Sequence, residues 1–268
     1  MFGGGGPLVV GRHDRPGRFE DGTSPILKGH SGSVLDMDWS PFDDSLLATA
    51  SEDASIKLWS IPDSWEPTDE KGLGKKGQDF TDVMVDLDGH SKKVQLIRFH
   101  PTANNTLLSA SGDYTVKVWD IESGVAAVTY DECSDLFQDI IWDVRGDTFA
   151  VTNKDKAVRI VDGRTAKTAQ KLENAHEGVK SMKLSYMGES GKILTTGASK
   201  QSGREMKIWD LKHLSKPLCV EAVDAASGAL IPLYDQDTSV LYLCGKGDGI
   251  IRLYEFEDKD PYLHKLND

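Results

Sequence analysis

The stretch "SASGDYTVKVWD" at residues 109–120 has a close counterpart sixty residues earlier in the chain, "TASEDASIKLWS" at residues 49–60. In each copy a Trp follows an Asp by six residues, at Asp53 and Trp59 and at Asp113 and Trp119. Each copy joins a polar turn to a run rich in β-branched residues, which is typical of a turn followed by a strand. A motif that recurs in this form indicates a structural repeat.

A Gly-His pair marks the other end of the repeat. His30 in "LKGHSGSV" and His90 in "LDGHSKKV" each stand 23 residues before the turn Asp, and His176 in "NAHEGV" follows His90 by 86 residues. Eroded copies keep part of the pattern: Asp155 precedes Val161, Asp248 precedes Tyr254, and Trp209 has Gly203 where the Asp would stand. A period of roughly 42 residues with these ends is typical of a WD-repeat β-propeller, in which each repeat forms a four-stranded sheet.

The recurring His, Asp and Trp have a structural explanation. The Asp can accept a hydrogen bond from the His ring, the His can reach a hydroxyl on the second strand, and that hydroxyl can meet the Trp N–H. The candidate hydroxyls are Thr49 or Ser51, and Ser109 or Ser111. An unpaired buried polar group costs about 1–3 kcal/mol, so such a set tends to be complete or lost together. Complete structural tetrads are predicted at His30, Asp53 and Trp59 and at His90, Asp113 and Trp119.

The repeats predict an all-β chain with about five whole propeller blades and part of another. The expected blades run at about residues 31–89, 90–132, 133–175, 176–225 and 226–266, after a partial blade at 1–30. That partial blade has only two strands, and no strands at the other end of the chain complete it. Because natural proteins avoid open strand edges, we expect the chain to be a piece of a longer propeller.

Composition argues against several classes of protein. The 268 residues carry a net charge of −12, whereas binding to nucleic acid needs a basic surface. No apolar run approaches the roughly 18 residues of a membrane span, and the start lacks the apolar core of a secretory signal. The cysteines Cys133, Cys219 and Cys244 are too scattered for a disulfide framework or a zinc site. We therefore expect a cytoplasmic protein with no metal or other cofactor.

Two segments carry a more specific resemblance. "GKILTTGASKQSGREMKIWDLKHLSKPL" at 191–218 and "IPLYDQDTSVLYLCGKGDGIIRLYEFEDKDPYLHKL" at 231–266 resemble the coronins, a family of actin-associated WD-repeat proteins. "LLSASGDYTVKVWDIESG" and the Gly-rich start "GGGGPLVV" also fit that family. The resemblance covers nearly the whole chain.

The resemblance implies a seven-bladed propeller, a linker and a C-terminal coiled coil that makes oligomers. It also implies binding to filamentous actin, modulation of the branched-filament nucleating complex, and a location at the cytoplasmic actin cytoskeleton. The family's first strands, last blade and coiled coil have no counterpart in this sequence. No sustained heptad is present, so coiled-coil oligomerisation is not expected of this chain.

Actin filaments are acidic, so the basic groups of this acidic chain are the candidate contacts with actin. The most positive window is "NKDKAVRIVDGRTAKTAQK", and a second basic group lies near the start of the chain. The candidate actin-binding residues are Lys154, Lys156, Arg159, Arg164, Lys167, Arg12, Arg15 and Arg18. The alternative is a solvated strand, along which alternation would divide the window between two faces.

A polar insert at residues 61–83 lengthens one repeat, and it fits either a flexible loop or a partner-binding loop that contains Trp65. "CGKGDG" at 244–249 is Gly-rich, but flanking strands favour a tight turn over a phosphate-binding loop. Asp36 and Asp38 are interpreted as an exposed strand face, because the spacing and closing Glu of a calcium loop are lacking.

No catalytic constellation is evident, so we expect no enzymatic activity. The favoured hypothesis is a non-catalytic scaffold that binds actin filaments. The alternative is a general WD-repeat adaptor for protein–protein interaction, and an enzyme is the third and disfavoured reading.

Overall fold

Short runs of apolar and β-branched residues, separated by turn residues, form strands along most of the chain. The computed structural model describes residues 8–11, 25–62 and 79–267. The described strands form five four-stranded sheets and one two-stranded sheet, with antiparallel pairing between neighbours. Each of the five repeat intervals expected from the sequence contains one of the four-stranded sheets.

The first of two compact units spans residues 1–129. Its described strands are β1 (Leu8–Val9), β2 (Ile26–Leu27), β3 (Val34–Trp39), β4 (Leu46–Ser51), β5 (Ile56–Ser60), β6 (Val85–Leu87), β7 (Val94–Phe99), β8 (Thr106–Ser111), β9 (Val116–Asp120) and β10 (Val125–Tyr130), which ends one residue beyond the unit. β1 pairs with β2, whereas β3–β6 and β7–β10 each form a four-stranded sheet in chain order.

The second unit spans residues 130–268. Its strands are β11 (Phe137–Trp142), β12 (Thr148–Asn153), β13 (Val158–Asp162), β14 (Thr168–Leu172), β15 (Lys183–Tyr186), β16 (Lys192–Ala198), β17 (Arg204–Asp210), β18 (Cys219–Asp224), β19 (Leu230–Asp235), β20 (Val240–Gly245), β21 (Ile251–Phe256) and β22 (Leu263–Lys265). They form three sheets of four consecutive strands. A single-turn 3-10 helix spans Gly188–Ser190, and no helix in the described ranges has the length and apolar character to cross a membrane.

The core of the first unit lies between successive sheets. Residues alternate along β5, so Ile56 and Leu58 pack in one cluster with Ile97 of the next sheet. Trp59 packs on the other side of the same strand, in a cluster with Leu27 of β2. Period-two alternation therefore gives β5 two apolar contacts, one with the sheet before it and one with the sheet after it.

The second unit repeats this arrangement. Val158 of β13 clusters with Leu184 of β15, and Ile208 of β17 clusters with Leu243 of β20. All four side chains are buried. The sheets of this unit are thus joined face to face by aliphatic packing.

One face of the β19–β22 sheet is exposed to solvent. The strand register places Leu233 opposite Tyr242, with Ile251 on the same face, and these side chains are 59%, 38% and 54% exposed. Ile251 lies in β21, the third strand of this sheet, three residues before an aromatic residue. The same position holds Ile56 in β5 and Met206 in β17, and both are 0% exposed. The last sheet therefore exposes to solvent an apolar position that is buried in β5 and β17.

Aspartates in the first strands connect neighbouring sheets. Asp36 accepts a hydrogen bond from the Ile97 amide at 3.0 Å, and Asp38 accepts one from the Phe99 amide at 2.7 Å. Asp139 does the same for the first strand of the next sheet in the second unit, at 2.9 Å. The prediction that Asp36 and Asp38 lie on an exposed strand face is wrong, because both are half-buried and bound to β7.

The turns between second and third strands share one conformation. The residue after the turn Asp has a positive φ of 71° at Ala54, 69° at Tyr114 and 66° at Lys156. In each turn the Asp carboxylate also accepts a hydrogen bond from the backbone N–H two residues later, at 2.9–3.0 Å. We call the end of each sheet at which these turns lie the turn end, and the opposite end the far end.

Candidate functional site

At the turn end of β7–β10, four side chains form one hydrogen-bonded chain. The His90 Nδ1 lies 2.9 Å from the Asp113 carboxylate, and the His90 Nε2 lies 2.7 Å from the Ser109 hydroxyl. The Trp119 indole donates to the same hydroxyl at 2.8 Å. Side chains from the turn, the second strand and the third strand thus join one hydrogen-bonded network with His90, as the sequence spacing predicts.

The sheet before it contains the same arrangement. The His30 Nδ1 lies 3.0 Å from Asp53, the His30 Nε2 lies 2.8 Å from Thr49, and the Trp59 indole donates to Thr49 at 2.9 Å. Of the two hydroxyls that the sequence left open, the structure selects Thr49. Ser51 instead accepts a hydrogen bond from the Asp53 backbone N–H.

This network fits a neutral imidazole. A neutral ring with its proton on Nδ1 donates to the carboxylate and accepts from the hydroxyl, whose oxygen remains free to accept from the indole. Burial is the largest influence on the pKa of His90 and lowers it, against the opposing effect of Asp113. Hydrogen bonds from Thr115, Ser91 and His90 outweigh burial at Asp113 and lower its pKa to about 2.

Hydroxyl, imidazole and carboxylate stand here in the order used by serine hydrolases. However, the Ser109 side chain is completely buried, and its oxygen is occupied by the Trp119 indole. A substrate cannot reach this hydroxyl, so this group of residues is a structural brace rather than a nucleophilic site.

The hydrogen-bonded brace of the β15–β18 sheet includes Glu205, which was not predicted from the sequence. The His176 Nδ1 lies 2.8 Å from Glu205, while the His176 Nε2 and the Trp209 indole both meet Thr195, at 2.8 and 2.9 Å. Glu205 lies two residues after Gly203, where the Asp was expected. Its longer side chain spans the difference, so the carboxylate of this repeat is displaced rather than missing.

In β11–β14 the imidazole is replaced by a guanidinium. Arg159 donates to Asn153 at 2.8 Å and pairs closely with Asp155. The Arg159 residue is only 7% exposed. Arg159 was a candidate contact with actin, but the structure corrects that prediction because its charge is already used inside the sheet.

In β19–β22 the brace comes partly from another sheet. Arg204 of β17 donates to Asp224 and also to Asp248, the latter at 2.7 Å. Arg252 pairs with the same two carboxylates, at 2.6 and 3.0 Å. These hydrogen bonds lower the pKa of Asp224 to about 2. A Cβ on Gly245 would lie 2.4 Å from the Arg204 guanidinium, so glycine leaves room for its passage.

The remaining candidate actin contacts divide between opposite ends of one sheet. Lys154 and Lys156 lie in the β12–β13 turn at the turn end, whereas Arg164 and Lys167 lie between β13 and β14 at the far end. Lys154, Arg164 and Lys167 are exposed, whereas the Lys156 ammonium donates to the Glu177 carbonyl at 2.6 Å. The basic window therefore cannot form a single patch.

Two further lysines share the turn end with Lys154. Lys200 lies in the β16–β17 turn and Lys246 in the β20–β21 turn, and both are exposed. The Gly178 amide donates to the Ala198 carbonyl, which ties the β14–β15 loop to the start of the β16–β17 turn. The sequence signal for these residues is a lysine one or two residues after each second strand of this unit.

The remaining candidate residues and motifs lie outside the described residues or in an ordinary turn. Arg12, Arg15 and Arg18, together with Trp65 of the insert, lie outside the described residues. "CGKGDG" joins β20 to β21 as a turn between antiparallel strands. Among the described residues, no group of three or more His, Cys, Asp and Glu side chains is arranged to hold a metal ion.

Comparison with known proteins agrees with this architecture. The family model "WD domain, G-beta repeat" matches residues 23–60 and 81–120. The coronin-like protein crn1 of Schizosaccharomyces pombe is 38% identical over 259 residues, which cover 96% of this chain and 41% of that protein. Coronin-2A of Homo sapiens is 38% identical over 271 residues, which cover 99% of this chain and 49% of that protein.

A solved structure is similar over the same extent. The WD40 domain of Toxoplasma gondii coronin matches with a TM-score of 0.89 and 31% identity, over 99% of this chain and 65% of that one. The chain spans about half the length of the curated relatives it matches. The resemblance and the fold class inferred from the sequence are confirmed: the chain is similar to coronins over nearly its whole length and has the fold class of a WD-repeat β-propeller.

Proposed function

We propose that this chain is a non-catalytic scaffold that binds actin filaments and helps to organise the cytoplasmic actin cytoskeleton. The similarity to coronins over nearly the whole of this chain supports the choice of actin. By the same argument we propose the branched-filament nucleating complex as a further partner. Neither partner follows from the fold alone, since WD-repeat sheets support many different interactions.

The observation that carries the proposal is the row of exposed lysines on braced turns. Lys154, Lys200 and Lys246 project from the turn end in a chain with a net charge of −12. Lysines held on rigid turns lose little backbone freedom on binding, and they attract an acidic filament surface. Repulsion from the rest of the chain would weaken that attraction at long range, so contact depends on local charge.

The proposal has two versions, because the candidate residues lie at opposite ends of the β11–β14 sheet. The turn-end version uses Lys154 and Lys156, and the far-end version uses Arg164 and Lys167. We favour the turn end, because Lys200 and Lys246 extend its basic character. Arg164 instead lies 3.7 Å from Asp147, which offsets its charge.

The test is co-sedimentation of the purified chain with actin filaments at several salt concentrations. K154E combined with K200E should weaken binding about tenfold and flatten its salt dependence, since exposed cations at an interface contribute mainly through long-range attraction. R164E combined with K167E should change binding less than twofold.

K216E combined with K212E is a matched control, because it makes the same charge change at exposed lysines on the β17–β18 connection. Circular dichroism and thermal unfolding of every variant check that the sheets remain intact. Loss of binding only in the far-end variant would assign actin to the opposite end. A folded parent chain that does not co-sediment at low salt would contradict the proposed function itself.

A further inference from the structure

The solvent-facing side of the β19–β22 sheet is apolar across neighbouring strands. The strand register arranges its side chains in rows, because residues that pair across strands lie on the same face. We call this surface the open face. Its first row, nearest the turn end, comprises Ile231, Cys244 and Ile251, and its second row comprises Leu233, Tyr242 and Leu253.

Leu266 extends the second row of the open face. Its amide donates to the Leu253 carbonyl at 2.8 Å, which places it opposite Leu253 on the last strand, and it is exposed. The apolar surface therefore spans all four strands of the sheet.

Both faces of this sheet are apolar. On the side opposite the open face, Leu241, Leu243 and Tyr254 are buried in a cluster with Ile208 of β17. The residues of β20 at 240–244 consequently form an unbroken apolar run, "VLYLC". An antiparallel sheet with one solvated face normally alternates apolar and polar residues, whereas strands covered on both faces have continuous apolar runs. The sequence of β20 thus indicates that a partner covers the open face.

The open face has the size of a small protein–protein contact. Four strands about 4.8 Å apart, three of them six residues long, give a surface about 20 Å on a side. Two such faces in contact would bury about 1,000 Å² in total, which is near the lower limit for a specific complex. Contiguous apolar patches of several hundred Å² commonly mark interaction sites on soluble proteins.

The two ends of the open face carry charges of opposite sign. At the far end, Asp235 and Glu255 lie on either side of Val240 in a third row. At the turn end, Lys246 follows Cys244 by two residues, so it continues the alternation of β20, and it is exposed. A surface with a cation at one end and carboxylates at the other is complementary to an inverted copy of itself.

Charge also selects between the two symmetric ways of stacking such faces. A two-fold axis parallel to the strands would place Lys246 of one copy over Lys246 of the other, and carboxylates over carboxylates. An axis perpendicular to the strands inverts one copy, so that its turn end lies over the far end of the other. Like charges in contact are unfavourable, and the inverted arrangement avoids them.

The inverted arrangement also matches the apolar rows. Successive rows are evenly spaced, because side chains on one face of a strand recur every second residue. With the axis between the first and second rows, each of these rows covers the other row of the opposite copy. The same spacing places Lys246 of each copy over the third row of the other, between Asp235 and Glu255.

We propose that this chain forms a homodimer through the open face, with two β19–β22 sheets stacked about a two-fold axis perpendicular to their strands. The apolar rows of the two copies bury each other, and two contacts of Lys246 with acidic residues fix the orientation. The interface is isologous, so it closes at two copies. The dimer does not rest on the binding of actin, whose test uses Lys154 and Lys200 outside the open face.

Sedimentation velocity of the purified full chain tests the dimer. The sedimentation coefficient should rise from the monomer value to the dimer value between about 1 and 100 µM, because a small interface is expected to bind in about the micromolar range. A chain that stays monomeric throughout this range overturns the proposal. Species that grow beyond the dimer with concentration also overturn it, because they require an interface that does not close.

L233T combined with I251T tests whether the open face is the interface. Threonine suits a strand, and both positions are exposed, so the sheet should remain folded while apolar contact is lost. The dissociation constant should rise at least about tenfold.

V125T combined with V220T is the matched control, because it makes a similar change at exposed strand positions in β10 and β18, outside the open face. The control should change the dissociation constant less than about twofold. Circular dichroism checks that both double variants are folded. Equal dimerisation of the two would place the interface elsewhere and overturn the assignment.

Reversed charges test the orientation without altering the apolar rows. K246E and E255K each bring like charges together across the interface, so each should weaken dimerisation about fivefold. Combining them restores opposite charges between the copies, and the double variant should dimerise at least about threefold more tightly than either single variant. A double variant that is weaker than both single variants would overturn the inverted arrangement.

Discussion

The β7–β10 sheet and the β19–β22 sheet use different chemistry to hold the Asp in the turn between their second and third strands. In the first, a single neutral imidazole connects Asp113 to Ser109 and Trp119. In the second, two guanidinium groups surround Asp224 and Asp248. The turn therefore requires a partner for its carboxylate, and the residue that supplies this partner can differ.

The two solutions have different requirements. An imidazole offers one donor and one acceptor, so it needs a hydroxyl beyond it, and the indole of Trp119 completes the chain. A guanidinium offers only donors, so it needs a second carboxylate instead. Tyr254 therefore occupies the position of the Trp in the arginine-braced sheet without any hydroxyl beneath it to satisfy.

The largest expected effect comes from removing the arginine that joins two sheets. Arg204 is 1% exposed, and R204M would leave Asp224 and Asp248 close together with only Arg252 to neutralise them. Breaking a buried ion pair on one side costs about 3–5 kcal/mol. Denaturant unfolding should show that loss, and hydrogen exchange should locate it in β17 to β21.

R164M is the control for this prediction, because the Arg164 side chain is 87% exposed and its substitution should change stability by less than about 1 kcal/mol. Equal stability of R204M and R164M would mean that the guanidinium brace is unimportant.

The imidazole brace should be weaker. H90L leaves the Ser109 O–H without its acceptor, although the Ser109 oxygen still accepts from Trp119. It also removes one donor to Asp113, which keeps its hydrogen bonds to Ser91 and Thr115. The expected cost is about 2–3 kcal/mol in the free energy of unfolding, measured as for R204M. H213L, at an exposed position, serves as the control. A larger loss in H90L than in R204M would reverse the comparison.

Acid should separate the two braces. Burial lowers the pKa of His90 in the folded chain, so protonation favours the unfolded chain and the brace weakens as the pH falls below about 6.5. Asp113 and Asp224 each have a pKa of about 2, so their contributions are lost only below about pH 4. Amide exchange, corrected for its intrinsic pH dependence, should show β7–β10 losing protection between pH 7 and 5 while β19–β22 keeps it. Parallel loss in both sheets would contradict this assignment.

The smallest expected effect concerns the turns. Tyr114, in the turn between β8 and β9, adopts a φ of 69°, which is strained for a residue with a large side chain. Y114N should stabilise the chain by about 0.5 kcal/mol, because Asn tolerates this conformation better and the lost contact with Lys92 is exposed. Thermal unfolding measures the change, and a drop in stability would show that the Lys92 contact outweighs the strain.

Spacing alone was enough to predict the imidazole braces, because their members recur at fixed separations along one repeat. Glu205 was not predicted because it occupies the position of Ser55 and Thr115, two residues after the expected Asp. Its longer side chain lets its carboxylate bind the imidazole in place of that Asp. Arg159 was misread because a run of charges suggests surface, although basic residues also stand two before the aromatic position in other repeats, at Lys57 and Lys207.

Contacts between sheets could not be read from the sequence. Arg204 reaches Asp248, 44 residues further along the chain, and no repeat spacing relates the two. Local patterns predict what happens within one repeat, while sites built across repeats depend on the packing of sheets.

The solvent-facing side of β19–β22 has a consequence for the stability of that sheet. Fully burying a Leu or Ile stabilises a protein by about 1.5–3 kcal/mol, and Leu233 and Ile251 obtain less than half of that burial. These two side chains therefore contribute less to the stability of their sheet than the buried Ile56 and Met206 contribute to theirs. They are also free to contact another apolar surface, which would complete their burial.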